Sequence, residues 1–207
     1  MGRRLIPLLL KRGHRVRALV RKGSEGKLPA GCVIIEGNAL EKASFVRQIP
    51  PADTFVQLVG VPHPSPSKAE EFRKVDLVSA RASIAAAAEA KIQHFVYISV
   101  AQPASIMKDY VAVRAEGEAL LRSSGLQATI LRPWYVLGPG HRWPCLLLPV
   151  YWILERLPVT SQSARRLGFI TLEQMLSALV SAIEYPPSGI RILEVPQIRE
   201  NALSVGV

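Results

Sequence analysis

Three side chains in this chain are spaced and typed for proton chemistry. Tyr110 and Arg114 stand four apart in a segment that reads as a helix, so they share one face. A free tyrosine titrates near pH ~10, and a neighbouring cation is what brings it toward work at neutral pH. Arginine supplies a fixed charge but, with a pKa above ~12, no proton to relay. Ser99 ends the apolar run His94–Ser99 (HFVYIS). Its hydroxyl is suited either to polarising a substrate carbonyl or to bonding the strand's own backbone.

These residues need a scaffold, and the chain alternates strand and helix. Gly2–Arg12 (GRRLIPLLLKR) reads as a helix with Leu5, Leu8, Leu9 and Arg12 on one face. Gly13 closes it, and His14–Arg21 follows as a strand. Cys32–Glu36, Thr54–Val59, His94–Ser99 and Ala128–Leu131 are further apolar strands. Between them fall a short helix over Ala43–Gln48, a Pro/Ser loop over Val61–Ser67, a long helix from about Lys68 to Ala90, and a helix over Tyr110–Ser123. Near-continuous apolar strands separated by helices predict an α/β fold with a doubly wound parallel sheet covered on both faces. From Arg132 the texture changes to a loop rich in Pro, Gly and Trp. An apolar helix near Leu146–Arg156, a helix over Thr171–Glu184 and a strand Ile190–Val195 follow. Residues 1–137 are expected to form the main domain and 138–207 a small C-terminal lobe.

Composition bounds the function. A length of 207 residues with 49% apolar residues suits a single buried core. Cys32 and Cys145 are far apart and make no ligand pair, and the four histidines show no metal spacing, so no metal is expected. Reduced thiols and a cytoplasmic location are expected. The net charge of +10 is concentrated in residues 1–27, which hold nine basic residues and one acid, or +8. That stretch lacks interleaved aromatic stacking residues, so a phosphate-bearing small molecule is the expected partner rather than nucleic acid. The apolar run from Cys145 to Leu154 contains Pro149 and is too short to span a membrane, so no membrane contact is expected.

The start GRRLIPLLLKRGHRVRALVR, the strand FVYIS, the helix YVAVRAEGEALLRSSGL and the strand-loop TILRPWYVLGPG stand in a telling order. Together they resemble the atypical and extended short-chain dehydrogenase/reductases, in particular the NmrA-like NAD(P)-binding group. The resemblance covers nearly the whole chain. It implies a Rossmann-type sheet, and Gly2 resembles the last glycine of that group's Gly-x-x-Gly-x-x-Gly loop. The preceding strand, central in such sheets, and the first two glycines have no counterpart here, and a truncated or mis-assigned start is the expected reason. The strands flanking that position then must either leave a gap or pair anew.

The resemblance also implies site roles. Arg21 and Lys22 end the second strand of the pattern, where a basic pair accommodates a ribose 2′-phosphate and so favours NADP over NAD. Asn38, with Ala39, stands where the group contacts adenine, though Asn there is equally a turn former. Val59 and Gly60 lie where the backbone approaches ribose or pyrophosphate, though Gly60 is equally a turn glycine. Tyr110 and Arg114 resemble the Tyr-x-x-x-Lys pair, in which tyrosine transfers the proton and lysine holds the ribose. Arg in place of Lys leaves ribose binding possible and removes the relay. Arg132-Pro133-Trp134-Tyr135-Val136 resembles the segment beside the nicotinamide amide. Trp134, Tyr135, His141 and Trp143 line a substrate pocket or anchor the C-terminal lobe. The function implied is an NAD(P)-dependent oxidoreductase or epimerase-like enzyme on a small carbonyl or nucleotide-sugar substrate. The alternatives are a non-catalytic dinucleotide-binding sensor or respiratory-complex-I-accessory-like subunit, or a truncated remnant.

Overall fold

Among the described residues, six of eight short strands build a parallel sheet that is split in two, and the other two pair separately. The structure, a computed structural model, describes residues 1–138 and 167–204. Helix α1 spans Gly2–Lys11, followed by β1 (Arg17–Val20) and β2 (Val33–Glu36). Strand β3 (Thr54–Gln57) leads to a continuous helical rod made of α2 (Ala69–Glu71), a π-helical stretch (Phe72–Leu77) and α3 (Val78–Glu89). Strand β4 (His94–Ile98), α4 (Lys108–Ser123), β5 (Gln127–Leu131) and β6 (Tyr135–Leu137) come next. Strand β7 (Phe169–Thr171), α5 (Leu172–Glu184), β8 (Ile190–Leu193) and α6 (Val195–Ser204) complete the described chain.

Strand β1 pairs in parallel with β2, and a separate four-stranded parallel sheet runs β3-β4-β5-β8. A third, two-stranded piece joins β6 and β7. The expected doubly wound parallel arrangement is present, with a break between β1 and β3, which are not paired with each other. These strands do not pair anew. Both run opposite to α1, since β3 ends beside its first residue, with Leu58 next to Gly2, while β1 begins shortly after its last.

Packing on both faces bridges the break. On one side Leu5 and Leu9 of α1 join Val96, Leu131, Met175, Leu176 and Leu179 in a buried cluster. On the other, Phe45, Val46 and Ile49, carried on short 3₁₀ turns over Lys42–Ser44 and Val46–Gln48, join Ile84, Phe95 and Tyr97. The face of α1 differs by one position from expectation. Leu8 is 39% exposed, and Ile6 is buried in its place, because the helix faces both the sheet and the break beside it. Arg12 clamps α1 to the end of α5 through a two-pronged pair with Glu184, at 2.6 and 2.7 Å. The Arg12 hydrogen bond, with His14 adding to it, holds the Glu184 carboxyl at about 2.

The α5 N-terminus carries a reciprocal cap, in which Thr171 Oγ1 accepts from Gln174 N while Gln174 Oε1 accepts from Thr171 N. Strand β8 extends the main sheet at the edge of β5. His141, Trp143, Cys145 and the expected helix near 146–156 lie outside the described residues.

Candidate functional site

In a parallel sheet every strand ends on the same edge, and the predicted site residues follow those ends. Exposed Arg21 and Lys22 follow β1, and half-buried Asn38 and Ala39 follow β2. Val59 and Gly60 follow β3, Ser99 follows β4, and Pro133 follows β5. Gly2 opens α1 at that same edge. The break divides the set. Arg21, Lys22, Asn38 and Ala39 stand on the β1–β2 piece, and the remaining strand-end residues stand on the four-stranded piece.

The densest chemistry surrounds Arg114. Its Nη2 donates to Asp76 Oδ1 at 2.5 Å, and its Nη1 donates to the Ile98 carbonyl at 2.9 Å. The other Asp76 oxygen accepts from Val61 N at 2.9 Å, which ties the loop after β3 into the pair. Both side chains are nearly inaccessible, at 6% and 0% exposure. Burial pushes the Asp76 carboxyl up and the Arg114 charge pulls it back. Burial lowers the Arg114 guanidinium, but Tyr110, Tyr97 and Asp76 together hold it above its ordinary value. The guanidinium lies over two rings, 5.2 Å from the Tyr110 centroid and 5.9 Å from that of Tyr97. Tyr110 also packs on Phe72 at 5.0 Å. Arg114 and Tyr110 thus share one face of α4, as the spacing required.

Gly60 belongs to this cluster through sterics. A Cβ there would collide with Arg114 Nη2 and stand 3.0 Å from Asp76 Oδ1. Only a residue without a side chain fits over the pair. The approach that needs glycine is that of the arginine beneath it.

Ser99 is 2% exposed and donates to Glu118 Oε1 at 2.6 Å. Glu118, one turn beyond Arg114 on α4, accepts from both prongs of Arg132, at 2.9 and 2.6 Å, and from Gln102 at 2.7 Å. Burial pushes the Glu118 carboxyl up, but Arg132 and Ser99 overcome it and hold it below the usual range. Arg132 in turn reaches Glu194 at 2.8 Å, joining the ends of β5 and β8. Pro133 is buried and its carbonyl accepts from Ala101 N. Tyr135 and Val136 lie in β6, with Tyr135 edge-on to Phe169 at 5.7 Å. Asn38 Oδ1 accepts from Leu40 N, a turn within the loop.

Sequence reasoning passed over Asp76, Glu118 and Tyr97. Glu118 was legible as the third member of the 110, 114, 118 series on one helix face. Asp76 was not, because it reaches the interior through the π-helical stretch, whose wider turn shifts the helix face. Tyr97 sits with its hydroxyl against Gly117, in space that a Cβ would fill.

A dinucleotide is compatible with this edge. The N–H groups of Gly2 and Arg3 precede the first intrahelical bonds, no acid stands in the first turn of α1, and Arg3 and Arg4 are exposed there. A family described as NAD(P)H-binding matches residues 1–140. The chain belongs to the NAD(P)H-binding family. A ceramide reductase of Caulobacter vibrioides is 26% identical to this NAD(P)H-binding protein over 203 residues, which cover 97% of this chain and 62% of that relative. The chain therefore spans less than two thirds of the relative's length. The Bordetella bronchiseptica enzyme WbmH, solved in complex with NAD+, is similar with a TM-score of 0.65 and 19% identity, covering 97% of this chain and 75% of that one. The UDP-glucose 4-epimerase of Thermus thermophilus, solved with NAD, is similar with a TM-score of 0.66 and 17% identity, covering 99% and 78%. At such identities these likenesses show the fold, and that fold agrees with the short-chain dehydrogenase/reductase resemblance. Among the described residues no cluster of three metal-ligating side chains occurs, and no helix is long and apolar enough to cross a membrane.

Proposed function

We propose that this chain is the nucleotide-binding body of an NADP(H)-dependent oxidoreductase that reduces a small carbonyl compound, with Tyr110 as the proton donor. The observation that carries the reading is the fixed guanidinium at Tyr110: Asp76 and the Ile98 carbonyl hold Arg114 over the phenol ring. Packed between Arg114 and Phe72, the Tyr110 ring is held in one place, which orients its hydroxyl for proton transfer. Arg21 and Lys22 are the residues for a 2′-phosphate, a planar fork beside a point charge. Gly2 and Arg3 are positioned for the pyrophosphate at the start of α1. Asn38, Ala39, Val59, Gly60, Ser99, Pro133, Tyr135 and Val136 are the remaining contacts along the edge. The nicotinamide supplies the hydride when bound. The name of the ceramide reductase relative supports reduction over epimerisation.

A second reading is favoured by one specific feature. Both Arg114 Nη groups are engaged with Asp76 and Ile98, and the Ser99 hydrogen goes to Glu118. A site with those donors occupied suits a protein that binds the nucleotide without turnover, such as a redox sensor or accessory subunit. NADPH oxidation measured across a panel of aldehydes and ketones separates the two. Turnover with at least one member that is lost in Tyr110→Phe supports the enzyme. Binding without turnover, indifferent to Tyr110→Phe, supports the sensor.

A further inference from the structure

The loop that follows β3 is held at both ends by buried side chains tied to one helical rod. Gln57, the last residue of β3, is 2% exposed, and Ser79 of α3 is fully buried. Gln57 Oε1 accepts from Val59 N at 3.3 Å, and Gln57 Nε2 donates to Ser79 Oγ at 3.0 Å. The Ser79 hydroxyl donates in turn to the Asp76 carbonyl at 3.0 Å. Asp76 closes the circuit, because its Oδ2 accepts from Val61 N at 2.9 Å. Val59, Gly60 and Val61 thus form one arc of a closed ring of hydrogen bonds.

The direction of every bond in the ring is fixed. A backbone N–H only donates, so the oxygen of the Gln57 amide faces Val59 and its nitrogen faces Ser79. A carbonyl only accepts, so the Ser79 hydrogen goes to Asp76 and the Ser79 oxygen receives Gln57. Stability alone does not call for such a ring, because two apolar side chains of the same shape would fill this space at little or no cost. What the ring adds is geometry. It turns the N–H groups of Val59 and Val61 inward and leaves that of Gly60 between them, with no hydrogen-bond partner among the described residues. Gly60 is half-buried, at the edge where the strands end.

We propose that Gln57 and Ser79 are positioning residues for the nucleotide: with Asp76 they hold Val59–Val61 in one conformation, so that the Gly60 N–H is aimed as a ready-made donor at an oxygen of the ribose–pyrophosphate. The proposal rests on the placement of Val59 and Gly60 at the nucleotide given above. Fixing the loop before the ligand arrives removes an ordering cost from binding. Asp76 extends the same device, since its other oxygen accepts from Arg114, which lies over Tyr110. One carboxylate therefore sets both the far end of the loop and the arginine at Tyr110. Gln57 and Ser79 hold the near end, at Val59, which that carboxylate does not bond.

The test is the double variant Gln57→Met, Ser79→Ala in the whole chain, which removes the polar pair and leaves neither partner stranded. Its melting temperature should shift by less than about 4 °C. Its NADPH dissociation constant, from fluorescence titration, should rise about tenfold. Without nucleotide, amide exchange at Val59 should quicken about tenfold, while Val61, still held by Asp76, and Val96 and Ile130 in the sheet change little. Adding NADPH should slow exchange at Gly60 in the unaltered chain and much less in the variant. Ser79→Ala alone, a smaller change to the core, is the second variant, read by its NADPH affinity and by exchange at Val59. A folded variant that binds NADPH as tightly as the unaltered chain overturns the proposal. So does a double variant whose melting temperature and affinity fall together, the mark of a merely structural pair. Absence of NADPH binding by the unaltered chain overturns instead the nucleotide reading itself, and the role of Gly60 with it.

Discussion

Removing the Asp76 carboxylate should expose how strongly the site depends on one buried charge pair. Asp76→Ala leaves the Arg114 guanidinium 5% exposed with one prong empty, and leaves Val61 N without its acceptor. Breaking a buried pair from one side costs about 3–5 kcal/mol, because the surviving charge stays desolvated. For a domain of this size each kcal/mol moves the melting temperature by roughly 2–4 °C, so the loss is roughly 6–20 °C. Urea denaturation followed by circular dichroism is the assay, read as a lower midpoint at an unchanged slope. The double variant Asp76→Ala with Arg114→Met should recover more than half of the loss, since an apolar pair needs no charge partner. A single-variant cost under about 1 kcal/mol, or a double variant no better than Asp76→Ala, would refute the reasoning.

Gly60→Ala should destabilise the fold by about 1–3 kcal/mol and weaken nucleotide binding, because the new Cβ displaces Arg114 Nη2; matched melting and titration curves check both. Arg21→Glu with Lys22→Glu should raise the NADPH dissociation constant at least tenfold while changing that for NADH by much less, measured by fluorescence titration. His94 is fully buried against Thr129, and burial together with the nearby Arg191 charge lowers its pKa from 6.5 to about 4. The unfolded chain therefore binds this proton first. Stability is intact above about pH 6.5 and falls as pH drops toward 4, by about 3 kcal/mol in total. Denaturation midpoints from pH 7 to 4 should flatten over that window in His94→Gln, and an equally steep fall in the variant would contradict the assignment.

Much of the fold was legible because its signals are local. Apolar runs such as HFVYIS and the helix ending at Ser124-Gly125 declare themselves by period and punctuation. The site was legible only in part. Tyr110 and Arg114 share a face by helical arithmetic. The partner that fixes Arg114, however, comes from a π-helical stretch 38 positions away, which no spacing rule reveals. Gly60 read as a nucleotide-facing or turn glycine, and its steric reason is an arginine packed over it from α4. Ser99 read as a carbonyl-facing hydroxyl or a backbone partner, and its bond to Glu118 depends on the packing of α4 against β4.

The central claim is that the carboxyl edge of this split sheet binds NADP(H). Calorimetric titration of the whole chain with NADPH and NADH tests it most directly. The account predicts saturable one-to-one binding that is tighter for NADPH and loses that preference in the Arg21→Glu, Lys22→Glu variant. Absence of saturation by either nucleotide, or a preference for NADPH that survives the charge reversal, would contradict it.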